Sequence, residues 1–342
     1  MLFRRKTTKM TVLLKPPPPR GRDLPAELLR KLEFKVLKRL DGFLFGDYTG
    51  FFYGPSLDLA EVREYQPGDE VRRIDWNVTA RSGKIHVRQY REEREVTAWL
   101  IVDLSASMNF GTRRVLKREE ALEFAATAAA IITRHGDKVG AIGFSEAGLR
   151  IIPPSSGRKQ TLRILHELYA LAAKGNGEPG AGNGKKVGSK SQFSQHPAPS
   201  THSSGDLSSA LEYASKTLKR RALMFVVSDF LAEASPTPSW VLALRRLAYK
   251  HEVVAVRVSD PAERELPKAG ELRLRDPESG EEVWVDTSDP RVRAAYAQLV
   301  EQREASLQRD FRAAQVEMLP LSTDQDIVAP ILKFTLRRRN RR

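Results

Sequence analysis

Trp99-Leu100-Ile101-Val102 runs straight into Asp103-x-Ser105-x-Ser107. A short apolar run that empties into polar residues predicts a buried strand ending in a loop. From Val115 to about Arg134, Leu116, Leu122, Phe124, Ala128 and Ile131 share one helical face. Strand, loop and helix make half of an α/β unit. The same alternation continues downstream. Residues 139–144 and 148–152 read as a strand hairpin, 159–173 as a helix, and 206–219 as a helix beginning at Asp206. Ala222 to Val227 is a buried strand ending in Ser228-Asp229. Helix 239–249, strand 252–258, a small hairpin over 271–285, helix 292–314, strand 316–319 and helix 327–336 follow. Alternating strands and helices predict a mostly parallel, doubly wound α/β sheet.

The pattern differs before residue 98. Leu28, Leu32, Val36 and Leu40 predict an amphipathic helix over 24–40. Glycines at 42, 46, 50 and 54 punctuate aromatic residues, and Lys84 to Tyr90 alternates apolar with polar. Residues 41–97 therefore read as short strands and turns, a small β-rich segment. Residues 174–204 are rich in Gly, Ser, Asn and Lys and read as a disordered insertion. The predicted organisation is a basic tail over 1–22 and a helix plus β-rich segment over 23–97. An α/β domain over 98–330 and a helix end with a basic tail over 331–342 complete it.

Composition narrows the function classes. The 342 residues contain no cysteine, which excludes disulfides, zinc–thiolate sites and cysteine nucleophiles. Thr11 to Leu14 is too short for a secretory h-region, and no apolar run approaches a membrane span. The expectation is a cytoplasmic protein. Net charge is +14, but thirteen basic residues and no acid sit in 1–22 and 333–342, leaving 44 basic against 43 acidic residues elsewhere. Such tails hold nucleic acid or anionic membrane by charge alone, or only keep the ends solvated. Only Phe3 and Phe334 accompany these charges, too few for a base-stacking series, which favours the second role.

The candidate chemistry lies at the strand ends, where open α/β sheets bind ligands. Asp103, Ser105 and Ser107 are hard oxygen donors that suit Mg²⁺; the alternative is that a serine caps the following helix. Asp229 closes a second buried strand and either approaches the same ion or serves as a turn carboxylate. Gly175 to Lys186 lacks phosphate-loop spacing, because Pro179 stands where a glycine is needed and Lys186 where Ser or Thr is needed. The six histidines (86, 135, 166, 196, 202 and 251) are scattered, and His135 falls at a helix end. The sequence gives no support for catalysis or for a small-molecule substrate.

Two resemblances follow from these residues. An apolar strand ending in Asp-x-Ser-x-Ser, with a later strand ending in Ser-Asp, resembles the von Willebrand factor A domain and its metal-ion-dependent adhesion site. The resemblance implies Mg²⁺ (or Mn²⁺) on Asp103, Ser105, Ser107 and Asp229, with one position open to a carboxylate of an acidic protein partner. The family's third loop carries a Thr where this chain has Gly205 in Ser204-Gly205-Asp206-Leu207. Glycine offers no side-chain oxygen, so Ser203, Ser204 or a water would have to substitute.

The second resemblance lies over residues 64–95. Pro67-Gly68-Asp69, Arg72, Asp75-Trp76, Ala80-Arg81 and Glu92-Glu93-Arg94-Glu95 resemble the signature of the uncharacterised bacterial family called domain of unknown function 58. That family implies work beside a MoxR-type AAA+ ATPase as an assembly or metal-insertion chaperone. In physical terms the dense charges around Trp76 read as a salt-bridged cover pinned by the tryptophan, or else as a partner-binding face.

Overall fold

The computed structural model describes residues 11–12, 61–67, 69, 71, 74–89, 97–175, 206–231, 238–275 and 282–340. The expected helix over 24–40, the aromatic segment 41–60, most of the 1–22 tail and nearly all of the 174–204 insertion lie outside these residues. Lys174 and Gly175 instead close a helix.

The strands are β1 (Thr11–Val12), β2 (Glu61–Glu64), β3 (His86–Gln89), β4 (Thr97–Asp103), β5 (Lys138–Ser145), β6 (Gly148–Ser155), β7 (Leu223–Ser228), β8 (Glu252–Ser259), β9 (Glu271–Arg275), β10 (Glu282–Asp286) and β11 (Glu317–Ser322). The helices are α1 (Trp76–Ser82), α2 (Lys117–Arg134), α3 (Arg158–Gly175), α4 (Leu207–Thr217), α5 (Ser239–Lys250), α6 (Pro290–Ala314) and α7 (Val328–Asn340). The central sheet has the order β11-β8-β7-β4-β5-β6, parallel throughout except for β6. This is the doubly wound, mostly parallel α/β sheet that the alternating pattern predicted.

Both faces of the sheet are covered, so its inner strands need no polar face. In β4, Leu100 and Val102 point into a core with α2, α3 and α7. Trp99 and Ile101 point the other way, into a core with α4, α5 and α6. Among the described strands, prolines occur in edge strands, where ladder bonds are dispensable: Pro153 and Pro154 in β6, and Pro320 in β11. His135 ends α2 as expected, its Nδ1 lying 2.9 Å from the Ile131 carbonyl.

Three expectations need correction. Thr11–Val12, placed in the basic tail, form β1 and pair antiparallel with β9 beside the β9–β10 hairpin. Asp75 and Gly83 delimit a helix, α1, inside the segment expected to hold only strands and turns. Asp75 accepts from the backbone N–H groups of Asn77 and Val78, and Gly83 takes the left-handed conformation that stops the helix. The C-terminal basic tail is helical to Asn340, and Arg338 folds in, its Nη2 2.7 Å from Glu252 and its Nε 2.6 Å from Glu317. No helix among the described residues is long and apolar enough to cross a membrane.

Leu100 is fully buried in the strand at the centre of the sheet. Leu100→Ala is expected to cost about 2–5 kcal/mol, through lost transfer energy and an unfilled cavity. Chemical denaturation of the two proteins measures the difference.

Candidate functional site

The order of the central sheet reverses between β4 and β7. β4 is followed by β5 on one side, whereas the later strands β7, β8 and β11 build outward on the other. A crevice forms at the carboxyl ends of the strands at such a switch point. Asp103 ends β4, Asp229 follows β7, and Asp260 follows β8.

Asp103 is 4% exposed. Its Oδ1 accepts from the Ser105 backbone N–H at 3.0 Å, and its Oδ2 accepts from the Ser228 hydroxyl at 2.6 Å. Ser105 precedes a 3-10 turn over Ala106–Asn109, yet its side chain makes no capping bond to that turn. Its Oγ lies 3.2 Å from the Ser107 Oγ. Capping therefore does not account for Ser105, which turns towards Ser107 instead. The Ser107 hydroxyl faces Asp229 and helps hold its carboxyl low. Glu146, in the turn between β5 and β6, accepts from the Ala106 N–H at 2.6 Å and covers the loop.

Asp229 takes the expected turn role and, in addition, pairs with a buried lysine. Its Oδ1 accepts from the Leu231 N–H at 3.0 Å, a turn bond, and its Oδ2 accepts from the Lys117 ammonium at 2.8 Å. The next residue, Phe230, holds a positive φ of 50°, a conformation that costs a non-glycine residue about 1–3 kcal/mol. Edge-on packing of Phe230 against Trp240 (5.2 Å between centroids) and Phe311 (5.0 Å) holds it there and fixes the Asp229 backbone. Sequence reading placed Asp103, Ser105, Ser107 and Asp229 in one site, and the fold brings all four together. Ser204 and Gly205 lie outside the described residues.

Lys117, Glu263 and Asp260 were missed. Lys117 is the first residue of α2, its side chain only 1% exposed, and its Nζ also donates to Glu263 Oε1 at 2.6 Å. Glu263 Oε2 accepts from the Asp260 N–H at 3.0 Å. The fully buried Asp260 carboxylate accepts from the Thr112 N–H (2.8 Å), the Thr112 hydroxyl (2.6 Å), the Ala262 N–H (2.9 Å) and the Thr323 hydroxyl. The signal for Asp260 was present: Val227-Ser228-Asp229 is repeated as Val258-Ser259-Asp260 at the end of the next strand. Lys117 carried no such signal, because a lysine in a first helical turn ordinarily faces solvent.

Burial, reinforced by the nearby Asp229 charge, pushes the Asp103 carboxyl up to about 6, against the bonds from Ser105 and Ser228. Asp229 is buried too, but Lys117 outweighs that burial and holds it below the usual carboxylate range. Burial likewise works against the charged Lys117, and Asp229 and Glu263 overcome it, leaving the ammonium raised.

The signature residues form a separate small unit. β2 and β3 pair antiparallel. Asp69 accepts both arms of Arg63 at 2.7 and 2.8 Å, together with the Gln66 N–H at 2.8 Å. Asp75 is the α1 cap described above. Trp76 is 67% exposed and does not pin the unit as expected; it sits at the first position of α1, a helix with no buried residue. Pro67, Ala80 and Arg81 are exposed, with Arg81 Nε 3.3 Å from the Asn77 carbonyl. Gly68 and Arg72 lie outside the described residues.

Comparison with known proteins places the chain. It belongs to the family described as "Protein of unknown function DUF58", which matches residues 61–306. An uncharacterised protein of Mycobacterium tuberculosis is 35% identical over 314 residues, covering 92% of this chain and 90% of the relative. Among solved structures, the conserved hypothetical protein BatB of Bacteroides thetaiotaomicron matches at 15% identity over 72% of this chain and 99% of its own, with a TM-score of 0.43. A von Willebrand factor type A protein from Catenulispora acidiphila matches at 9% identity over 71% of this chain and 42% of its own, with a TM-score of 0.33.

The raised Asp103 gives a signed pH dependence. The folded state holds its proton more tightly than the unfolded chain, so this group's favourable contribution is complete below about pH 4 and fades as pH rises through 6. In metal-free buffer, Asp103→Asn is expected to raise stability at pH 7.5 by about 1–3 kcal/mol, and by much less at pH 4.5. Thermal melts of both proteins at the two pH values check this. Gly111 shapes the loop that delivers Lys117, and a Cβ there would sit 2.4 Å from the Val115 carbonyl oxygen and 2.7 Å from the Leu116 Cα. Because backbone would have to move, Gly111→Ala is expected to cost about 1–3 kcal/mol, read by urea unfolding.

Proposed function

We propose that this DUF58 protein is a non-catalytic interaction module that engages a protein partner at the carboxyl edge of its central sheet through a bound Mg²⁺ or Mn²⁺. The observation that carries the reading is the convergence of Asp103 and Asp229 from neighbouring strands with the hydroxyls of Ser105 and Ser107. These are hard oxygen donors. The bonds that reach Asp103 come from neutral groups, Ser105 and Ser228, and its carboxyl is raised by burial and by Asp229. A buried carboxylate in that position gains from a cation, so the donor set fits the ion. Asp103, Ser105 and Ser107 would hold it, with Asp229 beside them. The ion would supply a positive, unsaturated position for a partner's carboxylate.

The chain's own residues do the remaining work. The Ser105 N–H and the Ser228 hydroxyl, itself accepting from the Phe230 N–H, orient Asp103, while the Leu231 N–H orients Asp229. The serine hydroxyls are committed to carboxylates and to one another, which suits a binding role better than a nucleophilic one. The partner favoured by the family resemblance is a MoxR-type AAA+ ATPase acting on the assembly or maturation of a client protein, in the cytoplasm. A tether to nucleic acid or anionic membrane through the basic ends is less favoured, because Arg338 is committed to Glu252 and Glu317.

Calorimetric titration of Mg²⁺ and Mn²⁺ into the purified chain tests the reading, with Asp103→Ala beside it. One ion per chain is expected, with affinity reduced at least about ten-fold in the variant. Equal heats in the two proteins, or none in the wild type, would sink the metal-dependent mechanism.

A further inference from the structure

Lys117 stands where a helix does not want a cation. It opens α2, where the macrodipole disfavours positive charge. Its long stem would ordinarily carry the ammonium out to water. Instead the side chain is 1% exposed and turned inward, with Nζ 2.8 Å from Asp229 and 2.6 Å from Glu263. The Phe110 ring lies alongside at 5.9 Å from its centroid, and the Phe110 carbonyl accepts the Lys117 backbone N–H at 2.8 Å. Backbone, ring and both carboxylates all fix the ammonium beside the oxygen cluster.

We propose that Lys117 is the resident cation of this site: its ammonium takes over from a divalent ion the neutralisation of Asp229, so that the cluster is preformed without metal and holds Mg²⁺ only weakly. The charges around the ammonium support this division. Lys117 bonds to two carboxylates, Asp229 and Glu263, while Asp103, close enough to Asp229 to feel its charge, has no ammonium of its own. Asp103, with Ser105 and Ser107 beside it, is the part left for an external ion. A fixed positive charge among the ligands repels any second cation, and in a buried setting that repulsion is screened little. Lys117 is thus a positioning residue that sets ion affinity through Asp229. The inference deepens the metal reading, yet it stands or falls on a separate comparison.

The experiment titrates Mg²⁺ and Mn²⁺ calorimetrically into the full-length wild type, Lys117→Met and Glu263→Gln, and melts each with and without Mg²⁺. Lys117→Met is expected to bind the ions at least about ten-fold more tightly than wild type. It should melt lower than wild type in metal-free buffer and recover much of that loss in Mg²⁺. Glu263→Gln removes an anion while keeping the ammonium, so it should bind several-fold more weakly than wild type. If Lys117→Met binds no more tightly than wild type, or stays unfolded in Mg²⁺, the inference is overturned. Where wild type binds the ions, Glu263→Gln binding them as well or better overturns it likewise. Binding by Lys117→Met but not by wild type would uphold Lys117 as the resident cation while refuting metal dependence of the native protein. Binding by wild type that Lys117→Met fails to improve would do the reverse.

Discussion

A single buried ammonium holds the carboxyl edge of this sheet together. Taking an ammonium and two carboxylates out of water costs several kcal/mol for each ion, and only close, well-satisfied contacts offset it. Lys117 meets that condition by reaching Asp229 after β7 and Glu263 after β8 from the start of α2. Three segments far apart in sequence are fixed to one another at one point. The same network continues through Asp260 to Thr112 and Thr323, so the loops after β4, β8 and β11 share it as well.

The rest of the site follows from that anchor. Asp229 is held from one side by the lysine and from the other by its own turn, and the backbone beyond it is forced into a positive φ at Phe230. The packing of Phe230 on Trp240 and Phe311 ties this strained turn to the hydrophobic core under α5 and α6. Asp103 is different in kind. It is as buried as Asp229, but its bonds come from neutral donors, and its carboxyl rises where that of Asp229 falls. Two aspartates at adjacent strand ends thus have opposite electrostatic settings.

Family membership and the local chemistry bear on different parts of the chain. The signature segment over 61–89 builds a small unit of β2, α1 and β3 held by an Arg63–Asp69 pair and an Asp75 cap. Its Trp76 is presented to solvent rather than used in packing. Dense mixed charge around an aromatic residue reads in sequence as a cover, because charge pairing and charge display look alike in one dimension. Asp75 and Gly83 do carry readable helix signals, seven residues of helix apart, but so short a helix leaves no apolar period to detect.

By itself the sequence determined the fold class, the order of strands and helices in the α/β part, and that Asp103, Ser105, Ser107 and Asp229 stand at the carboxyl ends of strands, where the fold brings them together. Each of these depends on local pattern: continuous apolar runs for strands covered on both faces, a 3.6-residue period for helices, and acid-plus-hydroxyl endings where strands empty into loops. Even Asp260 was legible, since Val258-Ser259-Asp260 repeats the ending of β7. Only the tertiary structure decided that Lys117 points inward, that Thr11–Val12 pair with β9, and that Arg338 is bound to Glu252 and Glu317. Whether a charged side chain turns to water or to a buried partner depends on where distant carboxylates arrive, and no local period encodes that.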